Sequence, residues 1–492
     1  MLATLRALVR RLLHGGAAGA AAEAGGRHIV TNVGIQVGAR VISIPISIVT
    51  VSLTARTLDP DGFGVWTATS AFVGIFGALT ELGFTTVATQ RMAAEPEREG
   101  AWLGALATAR ASLAVIATVI CAIAVPLLLG GGSEAHVVGW IMALTILSSG
   151  PQSLMAVFQS RLRSGLPQMF QLLLAFMWLI SVLALSFADA GVVGFAICYS
   201  ASVATVGTLQ VITTTRHGKI EWRAGRRLIA PLARAAIPLG VAALLITIYY
   251  EIDAVLLIHL SSSEEAGLYG AAYRFLSPLL FLPTAVVTSF FPVFSAIWER
   301  DPERVRRLVQ IATDVMAVVS LPVLAVTVAL SDQIVSLLYG PEFAASADVL
   351  PILMLAFVLI CYGTLAGYLA PLLNLLWRLA LYAAIGAVLN IAMNVVLIPR
   401  YGALGSAWAT VATEGVTMLL MLGTAVVALR LRLSPWRIVA TIVVAAAMTG
   451  VMELTSPLGL VPAGVIGLIV YVAGILGLRV IDVGDLRGLK RG

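Results

Sequence analysis

The sequence predicts an all-α polytopic membrane protein of about 14 transmembrane helices. These form two parallel six-helix bundles related by a pseudo-two-fold axis, followed by two C-terminal helices. Three observations predict this fold class: the composition, the number of long apolar segments, and two motifs that recur at nearly constant spacing. Of 492 residues, 60% are hydrophobic and 11% are charged, and the mean hydropathy is +0.99. Soluble domains carry about 25% charged residues, so most of this surface must face lipid.

The apolar segments account for the predicted helices in order. Each is long enough to cross a bilayer as a helix, which satisfies its own backbone hydrogen bonds. Their approximate ranges are 29–55, 64–90, 102–129, 136–160, 167–187, 191–213, 230–259, 266–296, 307–330, 346–370, 377–398, 402–428, 436–454 and 459–480.

The basic residues predict the orientation of these helices. If the N-terminus is cytoplasmic, the inner segments hold 26 of the 31 Lys and Arg, and the outer loops hold only Arg56 and Arg400. This bias follows the positive-inside rule and places both termini in the cytoplasm. The N-terminal residues fit either an amphipathic segment on the membrane surface or a disordered tail. The longest inner loop is basic, and anionic lipid headgroups are its expected partner rather than nucleic acid.

Two pairs of outer-loop motifs indicate an internal duplication. DGFGVW (61–66) is similar to EEAGLY (264–269), 203 residues later, and GVVGFA (191–196) is similar to GALGSA (402–407), 211 residues later. Six spans is an even number, so both halves start on the same side and are parallel repeats. The predicted organisation is a cytoplasmic N-terminus (1–27), an N-terminal bundle (28–215), a basic cytoplasmic linker (216–229), a C-terminal bundle (230–430), and two extra helices with a cytoplasmic tail (431–492).

Several stretches resemble a known family. Residues 236–295, 337–353 and 389–415, with ARTLDPDGFGVW and ELGFTTVATQR near the start, resemble the polysaccharide flippases of the multidrug/oligosaccharidyl-lipid/polysaccharide (MOP) exporter superfamily. The resemblance covers about residues 28–430. It implies a transporter that moves a polyprenyl-diphosphate-linked oligosaccharide from the inner to the outer leaflet of a bacterial cytoplasmic membrane by alternating access. The implied partners are this lipid-linked oligosaccharide, membrane lipids, and the polysaccharide polymerase and glycosyltransferases that act with it.

Ionisable residues inside the spans are the candidate functional residues, because a charged side chain in lipid is costly. Arg40 and Glu81 lie at matching distances from the first hairpin turn. They form either a structural ion pair or a site where Arg40 binds diphosphate. The substrate-binding candidates are Arg40, Arg110, Arg234 and Arg274, since guanidinium groups match phosphate oxygens. The ion-coupling candidates are Glu81, Asp253, Asp314 and Glu414, with H⁺ or Na⁺ as the coupling ion.

One alternative function is poorly separated from this one by the sequence, and two others fit less well. A peptidoglycan lipid-precursor flippase would share the fold and an anionic cargo. A drug/cation antiporter of the same superfamily would need carboxylates, whereas the first half offers Glu81 against Arg40 and Arg110. A membrane glycosyltransferase or polymerase would need a larger outer domain than the short loops allow, so we do not expect an enzyme. The three cysteines and five histidines are scattered, which predicts no metal, disulfide or cofactor.

Overall fold

The computed structural model describes residues 19–480 except 164, 189, 299, 300, 374, 432, 433 and 479. This part of the chain is helical and contains no β-strand. Residues 1–18 of the predicted N-terminal segment, 481–492 of the predicted tail, and the Arg40 side chain lie outside the described residues.

The α-helices are numbered here in chain order. They are α1 (Gly19–Glu81), α2 (Phe84–Ala94), α3 (Glu99–Leu128), α4 (Gly132–Ala143), α5 (Ser149–Ser153), α6 (Ala156–Ser160), α7 (Gly165–Phe187), α8 (Val192–His217), α9 (Trp222–Arg226), α10 (Ile229–Leu260), α11 (Ser263–Leu279), α12 (Phe281–Ile297), α13 (Pro302–Tyr339), α14 (Ser346–Leu369), α15 (Leu376–Leu429), α16 (Pro435–Thr455) and α17 (Leu460–Gly477).

The number of membrane-length segments agrees with the sequence prediction. Twelve stretches of the described chain are long and apolar enough to span a membrane. Three of these stretches contain a non-helical residue. Leu330 (φ −131°, ψ 15°) lies in a stretch of 37 residues, whereas Asp59 in α1 (φ 55°, ψ 177°) and Gly402 in α15 (φ 53°, ψ −130°) break stretches of 54 and 53 residues. Asp59 lies in a predicted outer loop, and Gly402 is the first residue after another. Each break separates two spans, so the twelve stretches hold the predicted total of about 14.

A carboxylate stabilises the start of the new helical segment after each of these two breaks. The Asp59 carboxylate accepts a hydrogen bond from the backbone N–H of Gly62 at 3.0 Å. The Glu265 carboxylate accepts one from the backbone N–H of Ala403 at 2.6 Å. Negative charge is favourable at a helix N-terminus, where backbone N–H groups lack partners. Gly402 has a positive φ, and a Cβ there would overlap the Glu265 carboxylate, so both reasons favour glycine.

The described chain divides into two compact units. The first contains the residues up to Leu53, Phe76–Ile123 and Trp140–Ala243. Its apolar core comes mainly from α2, α3, α6 and the start of α10, and includes Phe84, Leu106, Phe158 and Leu232. This core holds together the helices that carry the polar cavity described below.

The second unit contains Thr54–Ile75, Ala124–Gly139 and the described residues from Leu244 onward. The predicted outer ends of the first four spans therefore belong to the unit that holds the second half. The C-terminal helices α16 and α17 pack in this unit against α13, around Met448 and Met452. The Tyr471 hydroxyl donates to the Val318 carbonyl at 2.9 Å, so a buried polar contact fixes α17 to α13.

The first pair of recurring motifs, DGFGVW and EEAGLY, is in contact within the second unit. Gly64 and Gly267 are 203 residues apart, which is the repeat spacing, and their backbones touch. A Cβ on Gly64 would overlap the carbonyl of Ser263, and a Cβ on Gly267 would overlap the carbonyl of Pro60. Pro60 and Ser263 are themselves equivalent positions of the repeat. Small residues permit such close helix crossings in membrane proteins. Equivalent residues in reciprocal contact are what a two-fold axis between the repeats requires.

Candidate functional site

A polar cavity of about 450 Å³ lies within the first unit. Ten of its twelve lining residues are polar, although the surrounding helices are apolar. Polar side chains at membrane depth are stable only where they meet water, a polar ligand or one another. The cavity is therefore the best candidate in this unit for a path through which a polar group crosses.

An ion pair forms one wall of this cavity. Arg110 on α3 pairs through Nη1 with the Glu81 carboxylate at the end of α1. Nη1 also donates to the Thr85 hydroxyl at 2.8 Å, and Nη2 donates to the Thr80 hydroxyl at 3.2 Å. Arg110 is 7% exposed, whereas the Glu81 side chain is 38% exposed. The opposite charges of the pair cancel, and its carboxylate is the more exposed partner. The guanidinium Nε is buried and has no hydrogen-bond partner among the described residues.

A tight turn positions Glu81 for this role. Gly83 has a left-handed backbone (φ 74°) and ends the connection between α1 and α2. A Cβ on Gly83 would crowd the Ala236 carbonyl of α10, so only glycine fits there easily. The turn lets the Glu81 carboxylate accept from the Thr85 backbone N–H at 3.3 Å and from its hydroxyl at 2.9 Å. The first turn of α2 thus fixes the carboxylate that holds Arg110.

The other predicted arginines lie apart from this wall. Arg234 on α10 is exposed and does not line the cavity. Arg274 on α11 is half-buried in the second unit, where Glu251 is its acidic neighbour. The predicted pairing of Arg40 with Glu81 stays a prediction, because the Arg40 side chain lies outside the described residues. In the structure, Glu81 pairs with Arg110. Equal distance from the hairpin turn, the basis of the predicted pairing with Arg40, did not identify this partner.

A buried carboxyl group lies at the centre of a second polar cluster, in the second unit. Asp253 on α10 is 3% exposed and forms no ion pair with any described basic residue. Its two oxygens accept hydrogen bonds from the Tyr269 hydroxyl (2.7 Å), the Thr410 hydroxyl (3.0 Å) and the Asn394 amide (2.9 Å). The Asn394 Oδ1 is buried without a partner in the described chain. We call Asp253, Asn390, Asn394, Thr410 and Tyr269 the Asp253 cluster.

The last two acidic candidates differ in their partners. Glu414 on α15 is 7% exposed and accepts from the Tyr249 hydroxyl at 2.9 Å. Asp314 on α13 is 2% exposed and pairs with Arg437 of α16 at 3.1 Å, while the Gln310 amide donates to it at 2.7 Å. The ion pair of Asp314 joins α13 to α16, the first C-terminal helix. The sequence alone does not reveal this contact, because the two residues are 123 positions apart.

Glutamines are the cavity residues that the sequence reasoning missed. The chain has nine glutamines, and five of them line this one cavity. The cavity glutamines are Gln90, Gln152, Gln159, Gln171 and Gln210. The sequence carries a signal for them, because uncharged amides inside apolar spans form polar contacts between helices, but the predicted site residues are all ionisable.

Comparison with known proteins identifies the family. The profile of the family described as "Polysaccharide biosynthesis protein" matches residues 29–298, and the MatE profile matches residues 238–396. The probable flippase AglR of Haloferax volcanii is 32% identical over 166 residues, which are 33% of this chain and 35% of that protein. The probable low-salt glycan biosynthesis flippase Agl15 of the same organism is 25% identical over 174 residues, which are 35% of this chain and 37% of that protein. The chain thus matches about a third of the length of these curated relatives.

Solved structures share the fold at low sequence identity. An inward closed conformation of the lipid II flippase MurJ has a TM-score of 0.76 at 14% identity, and the match covers 93% of this chain and 99% of that one. An inward-facing multidrug resistance MATE transporter of the MOP superfamily has a TM-score of 0.63 at 13% identity, covering 80% and 98%. The family profile spans more than half of the chain and the fold agrees with it. The chain therefore belongs to the polysaccharide biosynthesis protein family of the MOP superfamily.

Proposed function

We propose that the protein moves a polyprenyl-diphosphate-linked oligosaccharide from the inner to the outer leaflet of the cytoplasmic membrane by alternating access. The observation that carries this proposal is the polar cavity within apolar helices, with Arg110 in its wall. A sugar-diphosphate headgroup must exchange its hydration for fixed polar partners as it leaves the surface. The polyprenyl chain would stay in lipid. The glycosyltransferases would act before this step, and the polymerase would act after it.

The cavity charge separates this cargo from a cationic drug. Among the described lining residues, the charges of Arg110 and Glu81 neutralise each other, so this lining offers no net negative charge to a cation. An anionic headgroup can instead compete with the more exposed Glu81 carboxylate for the guanidinium, which forms strong paired hydrogen bonds with phosphate oxygens. A peptidoglycan lipid precursor has the same diphosphate chemistry and is the second cargo that this arrangement favours.

We propose the Asp253 cluster as the site of the coupling ion. It offers one carboxylate with amide and hydroxyl oxygens, and all are buried. Oxygen donors with a single negative charge suit H⁺ or Na⁺.

Reconstitution tests the proposed transport. Purified protein is placed in liposomes that contain a fluorescent polyprenyl-diphosphate trisaccharide, and the lipid exposed outside is measured with a membrane-impermeant lectin. We expect the inner-leaflet pool to become accessible, whereas protein-free liposomes should keep that pool protected. A cationic dye and a peptidoglycan lipid precursor are assayed in parallel. Movement of the dye without movement of the lipid-linked trisaccharide would refute the proposed cargo.

A further inference from the structure

The cavity glutamines converge from five different helices. Each of α2, α5, α6, α7 and α8 contributes one of them, so the amides surround the space rather than form one stripe. Four of the five are exposed to the cavity or its mouth, and Gln210 is 3% exposed. Among the described residues, none of these side-chain amides is committed to a hydrogen bond within the protein. The amides are therefore available to a ligand.

Two further groups support a polar ligand. The Oε1 of Gln210 and the hydroxyl of Thr89 are buried without a partner in the described chain. Buried polar groups normally have hydrogen-bond partners, and each exception needs an explanation. Both residues line the cavity, so small side-chain rotations would let a ligand or water supply the missing bonds.

The chemistry of this lining matches uncharged sugars. A glutamine amide donates through its nitrogen and accepts through its oxygen, and a threonine hydroxyl does both. Sugar hydroxyl groups also donate and accept, so each can pair with such an amide. An acidic sugar would need a cation, and Arg110, the one basic residue in the described lining, is already paired with Glu81. A single sugar carboxylate competes with Glu81 less strongly than a diphosphate, which carries more charge and more acceptor oxygens. The volume of about 450 Å³ lies within the roughly 300–1,000 Å³ of small-molecule sites.

We infer that this cavity is the subsite for uncharged, hydroxyl-bearing sugars of the cargo, and that its glutamines bind the sugar hydroxyls. The inference rests on the proposed flippase function and adds the sugar class that the site accepts. Arg110 and Glu81 remain at the wall, where the diphosphate end of the headgroup would meet them.

Binding of free glycans tests this subsite without lipid. The purified full chain is placed in lipid nanodiscs, because maltoside detergents carry sugars themselves. Saturation-transfer NMR and calorimetry then measure binding of maltotriose, N-acetylchitotriose and the acidic trigalacturonate. The variant is Gln152→Leu with Gln171→Leu, and the matched control is Gln168→Leu, which lies on α7 but does not line the cavity.

We expect at least one neutral trisaccharide to bind and trigalacturonate to bind more weakly. Two lost hydrogen bonds should weaken neutral binding about tenfold, while Gln168→Leu should bind like the wild type. Failure of every neutral trisaccharide to bind, equal binding of trigalacturonate, or unchanged binding by the double variant would overturn the inference. Absence of lipid flipping by the wild type in liposomes would instead count against the proposed function, so the two failures are distinguishable.

Discussion

Asp253→Asn is expected to abolish the response of transport to an ion gradient while leaving the fold intact. The substitution keeps the shape and much of the hydrogen bonding of the Asp253 cluster but removes its only negative charge. Hydrogen bonds to charged groups are worth about 1.5–3 kcal/mol each, so losing the charge should weaken ion binding by about a hundredfold or more. The measurement is the flipping rate in liposomes under an imposed Na⁺ or pH gradient.

The control for Asp253→Asn is Asp332→Asn, an exposed carboxylate on α13 outside the cluster. It should keep the wild-type response. Whichever gradient accelerates the wild type identifies the coupling ion. If Asp253→Asn still follows that gradient, the coupling ion does not bind at the Asp253 cluster.

Arg110→Ala is expected to remove headgroup binding, and Glu81→Gln is expected to strengthen it. Without Arg110 the described lining of the cavity has no cation, and Glu81 is left uncompensated. With Glu81→Gln the guanidinium no longer has a carboxylate competitor, so its contacts with phosphate oxygens should gain about 1–3 kcal/mol. The measurement is the affinity for inorganic pyrophosphate by calorimetry, together with the flipping rate. We expect Glu81→Gln to bind more tightly and flip more slowly, because release becomes harder.

Two companion variants separate charge from packing at this wall. Arg110→Lys should restore flipping only in part, because an ammonium group lacks the planar fork of the guanidinium. In the Glu81→Gln, Arg110→Ala double variant the gain in pyrophosphate affinity should disappear, since the gain acts through Arg110. Wild-type flipping by Arg110→Ala would remove Arg110 from the substrate path.

The fold was largely predictable because lipid imposes simple length and polarity rules. Apolar segments of about 20 residues must be helical spans, and the backbone breaks at Asp59 and Gly402 fall within or directly after predicted loops. The repeat was detectable because its motifs carry glycines that must stay small. Gly64 and Gly267 touch through their backbones, so larger side chains would not fit.

The site was predictable only in part, because the important contacts join helices that are distant in sequence. Counting residues from a turn gives the depth of Glu81 but not which neighbouring helix it faces, and 29 residues separate it from Arg110. Asp253 was selected as an intramembrane acid, yet its amide partner Asn394 lies 141 residues away. The five glutamines carry no charge, so the cost of burying charge in lipid does not single them out.

Cargo protection of a cavity residue tests most directly whether the headgroup occupies this cavity. The free cysteines Cys121, Cys198 and Cys361 are replaced by alanine, and Gln152→Cys is introduced at the exposed cavity wall. A hydrophilic thiol reagent then labels the protein in nanodiscs with or without the lipid-linked trisaccharide. The control is Lys219→Cys, which is exposed outside the cavity. We expect the cargo to slow labelling at position 152 but not at position 219. Equal labelling of position 152 with and without cargo would contradict this expectation.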